Sequence, residues 1–165
     1  MAKKPWVWIE RVVQAVMPGS RLPAAAGHEQ RSRPPEPAVL DPSYLDTLFE
    51  LQRSSGREVV SPVIESYVAE APRRLAALRG ALARDDREEI VLVAHTLKGA
   101  SAQLGVTRAA AVSRELEERG REGSLEGAGE MLDRLEQELE AAAAALLARC
   151  RQAAVEVPGK APASS

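Results

Sequence analysis

Between residues 39 and 153 the apolar positions recur every three or four residues, with no sustained alternation of period two. Four stripes stand out. Ile64, Tyr67, Ala71, Leu75, Leu78 and Leu82 form the first, and Ile90, Ala94, Leu97, Ser101 and Leu104 the second. Ala109, Val112 and Leu116 form a third, and Leu125, Ala128, Leu132, Leu135, Leu139, Ala142 and Leu146 a fourth. Such stripes bury one side of a helix and leave the rest to water. The punctuation between them predicts the helix ends. Asp41-Pro42 supplies an N-cap and a proline at the first helical position, opening a short helix to about Arg53 that Ser54-Ser55-Gly56 ends. Ser61-Pro62 gives the same start signal for a longer helix to about Arg84, in which Pro72 predicts a local bend or at least one lost backbone hydrogen bond. Asp85-Asp86 caps a third helix, stopped after Leu104 by Gly105. Thr107 is the expected cap of a fourth, closed by Gly120 and Gly123, and Ser124 the expected cap of a fifth. The fold class is therefore all-α: an antiparallel four-helix bundle from Val59 to Arg151, with a short additional N-terminal helix before it.

The flanks differ from this body. Residues 1–18 form an amphipathic segment in which Trp6, Ile9, Val13 and Val16 fall at helical spacing. Residues 19–38 are a Pro-rich linker, residues 39–153 the bundle, and residues 154–165 a tail expected to be disordered. Glu10 and Arg11 interrupt the apolar start, which argues against a signal peptide. Packing against protein is the preferred role for this segment, with weak association at a membrane surface left open.

Composition then removes whole classes of function. Aromatic residues make up only 3% of the chain, too few for an ordinary sandwich or barrel. A single cysteine, Cys150, excludes an internal disulfide framework and a thiolate cluster. Two distant histidines, His28 and His95, argue against a multi-histidine metal site. Residues 1–38 carry six Lys/Arg and three acids, so the net charge of −2 leaves the remainder at −5. An acidic body is a poor partner for nucleic acid. No apolar run approaches the ~20 residues that a membrane-spanning helix requires, and a cytoplasmic location is expected.

The third helix carries the candidate chemistry. At 100° per residue His95 points about 160° away from the buried Leu97, toward solvent. Lys98 and Gly99 share its face, as do Val91, Leu92 and Ala102. A mid-helix glycine costs roughly 1 kcal/mol relative to alanine, but Gly99 removes the side chain that would crowd the imidazole one turn away. Lys98 adds a positive charge suited to an anionic group on the ring. Val91, Leu92 and Ala102 supply flat apolar surface where another protein docks. Ser101 is expected to be a small bundle residue bonded to the preceding turn, and Gln103 lies off the histidine face. His28, in the linker, is read as a bystander, and Cys150 as a small apolar residue.

His95-Thr96-Leu97-Lys98-Gly99-Ala100-Ser101-Ala102-Gln103-Leu104-Gly105 resembles the HxLKGxSxxxG signature of histidine-containing phosphotransfer (HPt) domains. The resemblance covers about Leu40 to Arg151, including Asp41-Pro42 at the front and Arg114-Glu115-Leu116-Glu117 in the helix after the motif. It implies that His95 is the phosphoacceptor, that Lys98 helps hold the phosphoryl group and that Gly99 keeps access open. It further implies a carrier rather than an enzyme, with no intrinsic cofactor and Mg2+ held by the partner receiver domain. The chain has no Gly-rich phosphate loop followed by lysine, in keeping with a protein that binds no ATP. The implied partners are response-regulator receiver domains and a sensor or hybrid histidine kinase, in a multistep His–Asp phosphorelay. Two alternatives stand beside this: a helical adaptor that binds a receiver without accepting phosphate, and a detached phosphoacceptor domain of a chemotaxis-type kinase.

Overall fold

A computed structural model describes residues 38–156. Residues 1–37, with the amphipathic segment and nearly all of the linker, and residues 157–165 of the expected tail lie outside the described residues. Five α-helices and no strand occupy the described part: α1 (Pro42–Ser55), α2 (Val60–Ala83), α3 (Arg87–Gln103), α4 (Thr107–Glu122) and α5 (Ala128–Glu156). Helix α3 packs on α2 and α4, α5 packs on the same two from the other side, and α1 leans on α2. Short turns at 84–86 and 104–106 fold consecutive helices back on one another, which yields the expected antiparallel bundle with its short leading helix.

The four stripes meet in one core. Ile64 and Leu78 of α2, Leu97 of α3, and Leu135 and Leu146 of α5 have no solvent-exposed surface, and Leu116 of α4 has almost none. Each such side chain contributes about 1.5–3 kcal/mol through its burial. At the end of α2 it is Ala81 that is fully buried, while Leu82, expected in the stripe, is half-buried. Leu125 also packs on the core, but from the turn that precedes α5.

Several helix ends depart from the expected caps for identifiable reasons. Asp41 does cap α1, its carboxylate accepting from Ser43 N at 3.0 Å. Helix α2, however, begins one residue before Ser61-Pro62. Its free amides at Val59 and Val60 both donate to the Gln52 side-chain oxygen, at 3.0 and 2.8 Å. A residue of the preceding helix thus replaces the local cap. Pro72 does not break α2, which continues unbroken to Ala83. Thr107 is not the cap of α4: Val106 occupies that position, and the Thr107 hydroxyl donates to the Ala38 carbonyl at 2.6 Å. Gly120 lies inside α4 rather than closing it, and Gly123, at φ 80°, is the stop. Helix α5 starts at Ala128, after Gly127, not at Ser124, and runs three residues past 153 into the expected tail.

Two glycines fix how the elements meet. Gly105 adopts φ 70°, and a Cβ there would lie 2.8 Å from the Asp41 carbonyl. The Asp41 amide donates to the Gly105 carbonyl at 2.8 Å, so the start of α1 is laid directly on the α3–α4 turn. On Gly120 a Cβ would lie 2.7 Å from Val91 Cγ2. That missing side chain lets α4 approach α3 closely just below the candidate site.

Candidate phosphohistidine site

Helix α3 owes its register to Asp86, whose carboxylate accepts from Glu89 N at 3.0 Å and anchors the N-terminal turn. From that start, Ile90, Ala94, Leu97 and Ser101 turn inward. His95 is thereby set outward, with its side chain 60% exposed. The orientation follows from helical geometry alone, as expected.

Glu117 of α4 completes the site. Its carboxylate is buried, with 1% side-chain exposure. One oxygen, Oε1, lies 2.8 Å from His95 Nδ1 and 2.5 Å from the Arg121 guanidinium; the other, Oε2, lies 2.7 Å from Lys98 Nζ. The Lys98 ammonium, aided by His95 and Arg121 and acting against burial, holds the Glu117 carboxyl at a pKa of about 2. An ionised carboxylate only accepts hydrogen bonds, so Nδ1 of His95 carries the proton. In its neutral form the ring then has its lone pair on Nε2, the nitrogen that does not face Glu117. Here lies the chemistry the site offers: a nucleophilic nitrogen of fixed tautomer, with two cations, Lys98 of α3 and Arg121 of α4, in contact with the anchoring carboxylate.

The expected site residues distribute as follows. Lys98 is half-buried and engaged with Glu117 rather than standing free beside the imidazole. A Cβ on Gly99 would meet nothing within 4 Å, so the space beside His95 is open. Leu92 is 66% exposed and Ala102 is exposed, so both remain available on the histidine's face. Val91 differs: it is half-buried and its Cγ2 faces Gly120 in the α3–α4 seam, which removes it from an outward docking surface. Ser101 is buried, but its hydroxyl pairs with Tyr67 OH of α2 at 2.8 Å instead of the preceding turn. Burial pushes that tyrosine up to about 12 despite the hydrogen bond. Among the described residues no group of three or more His, Cys, Asp and Glu side chains is placed to hold a metal ion, and no helix is long and apolar enough to cross a membrane.

The opening at Gly99 can be tested directly. With no neighbour to clash, Gly99→Leu should stabilise the bundle by up to about 1 kcal/mol through helix propensity. It should also slow delivery of any phosphoryl group to His95 by obstructing the approach. Thermal unfolding together with transfer kinetics checks both; a stabilised variant with undiminished transfer would show that the opening has no part in access.

An outward imidazole tethered to a buried carboxylate, on a closed four-helix ring, defines a bundle built to present one histidine. Residues 62–145 match the Hpt domain family, and the chain belongs to it. The chain is 29% identical over 89 residues to the multistep phosphorelay regulator 1 of Schizosaccharomyces pombe, a match spanning 54% of this chain and 30% of that protein. It also resembles the crystal structure of histidine-containing phosphotransfer protein B (HptB) from Pseudomonas aeruginosa PAO1. There the TM-score is 0.60 and the identity 29%, over 69% of this chain and 95% of that one.

Proposed function

We propose that this chain is a histidine phosphotransfer protein of a His–Asp phosphorelay, with His95 as its phosphoacceptor. The observation that carries the reading is the His95 Nδ1 to Glu117 contact at 2.8 Å, which leaves Nε2 as the nucleophile. In the uptake step the Nε2 lone pair attacks the phosphorus of an aspartyl phosphate on a receiver domain. The N–P bond forms as the acyl O–P bond breaks, and the electron pair returns to the aspartate carboxylate. The Nδ1 proton stays in place, and Glu117 balances the positive charge that the ring acquires. Lys98 and Arg121, both partly exposed, are positioned to turn toward the phosphoryl oxygens once these arrive. Release to another receiver is the same step reversed.

The reading makes the protein a carrier with no cofactor of its own, and places the Mg2+ that neutralises the moving phosphoryl in the receiver's acidic pocket. Its partners are receiver domains and the kinase that feeds them, met in the cytoplasm, with Leu92 and Ala102 as contact surface around Gly99. The experiment is incubation with a panel of phosphorylated receiver domains. The expected result is acid-labile, alkali-stable label on this chain. Receivers that bind without transferring label would instead favour an adaptor.

A further inference from the structure

A groove of about 330 Å³ runs between α2 and α3, on the side of α3 away from Glu117. Its walls are mostly apolar: Pro62, Val63 and Ala71 on α2, and Leu97, Ala100 and Leu104 on α3. Val63 is 53% exposed, and nothing in the described chain covers it. Glu70 and Arg74 mark the far end of the same groove. An open apolar channel between two helices is the form that receives a third amphipathic segment.

We infer that the occupant is residues 5–17 of this same chain, PWVWIERVVQAVM. Four observations converge. The first described residues are fastened at the Leu104 end of the groove, through Thr107 Oγ1 to the Ala38 carbonyl and Asp41 N to the Gly105 carbonyl. The 20 residues from Pro18 to Pro37 reach roughly 25 Å even as a flexible coil, and more as a Pro-rich chain, so either end of the groove is accessible. A 13-residue helix is about 20 Å long, and the α2 wall from Pro62 to Arg74 spans the same number of residues and so the same length. On a helix, Trp6, Trp8, Ile9, Val12, Val13 and Val16 share one side, with Glu10, Arg11 and Gln14 opposite, so one face is apolar and suited to the groove.

The chain's only two tryptophans, Trp6 and Trp8, lie in this segment, so tryptophan emission, excited selectively over that of Tyr44 and Tyr67, reports on it alone. The expected result is blue-shifted emission, weakly quenched by acrylamide and unchanged on dilution. Val63→Glu, at an exposed groove position, should move emission and quenching to those of the urea-unfolded chain while far-UV circular dichroism stays helical. Ile9→Asp should do the same, and lies outside the described bundle, so loss of the fold cannot account for its effect. Solvent-exposed emission in the wild type overturns the inference. So does a blue shift lost on dilution, which assigns the groove to a second copy, or one that survives Val63→Glu, which places the segment elsewhere. None of these readouts depends on phosphoryl transfer, so the inference and the proposed function fail separately.

Discussion

Replacing His95 with glutamine should abolish phosphoryl uptake and leave the bundle folded. The side chain is 60% exposed and lies outside the core, so the main loss is its hydrogen bond to Glu117, about 1.5–3 kcal/mol at most, while Lys98 and Arg121 keep the buried carboxylate paired. The carboxamide nitrogen has its lone pair delocalised into the carbonyl and cannot displace an aspartate from phosphorus, so the loss should be complete rather than partial. Lys98, Arg121 and Glu117 all remain, as do Leu92 and Ala102, so receiver binding should persist at close to wild-type strength. Binding without labelling separates the loss of a nucleophile from the loss of an interface. Label of undiminished intensity on His95→Gln would remove the phosphoacceptor from α3 altogether. The other histidine, His28, would then be the first position to examine.

How much of this site could be read before the structure depended on the distance over which each feature is determined. The outward direction of His95 follows from four buried positions on its own helix, Ile90, Ala94, Leu97 and Ser101, because helical geometry is rigid over three turns. The openness at Gly99 is equally local. Glu117 is different. It lies 22 residues from His95, on a helix whose rotation is set by packing, and the resemblance took in its position without giving it a role. A signal did exist: with Val112, Ser113, Leu116 and Gly120 turned inward, Glu117 falls on the buried side of α4, where a carboxylate needs partners. Val91 was misplaced for the complementary reason. Its apolar side chain marks a contact, but only the absence of a side chain at Gly120 shows that the contact is α4 and not a partner protein. The caps divide the same way. Asp41 and Asp86 act on amides two or three residues away and were legible, whereas Gln52 caps a helix that starts eight residues later and Thr107 spends its hydroxyl on Ala38.

Glu117→Gln should slow phosphoryl uptake by about 10- to 100-fold while changing the acid limb of stability. The carboxylate now receives three donors, His95 Nδ1, Lys98 and Arg121. Glutamine offers one oxygen and one NH2 group, and Lys98 and Arg121 can only donate. Lys98, the stronger of the two contacts, takes the oxygen in the place of Oε2, which puts the NH2 where Oε1 stood, turns Arg121 out to solvent and makes His95 Nδ1 an acceptor. The ring proton moves to Nε2 and masks the nucleophile. Reversing that preference costs about one hydrogen bond to a charged group, some 1.5–3 kcal/mol, which sets the expected range of rates. Stability should fall at neutral pH by a similar amount, but the bundle should survive, because Lys98, Arg121 and His95 are exposed enough for water to solvate them. The pH dependence identifies the cause. The Glu117 pKa is lowered from 4.5 to about 2 on folding, so its stabilisation is fully present above pH 4.5 and lost as pH falls toward 2. Glutamine has no such titration, so the two proteins should converge in stability across that window. A stability gap that stays constant down to pH 2 would show that the buried carboxylate is held by packing rather than by its charge, and with it would go the reason for assigning the His95 tautomer.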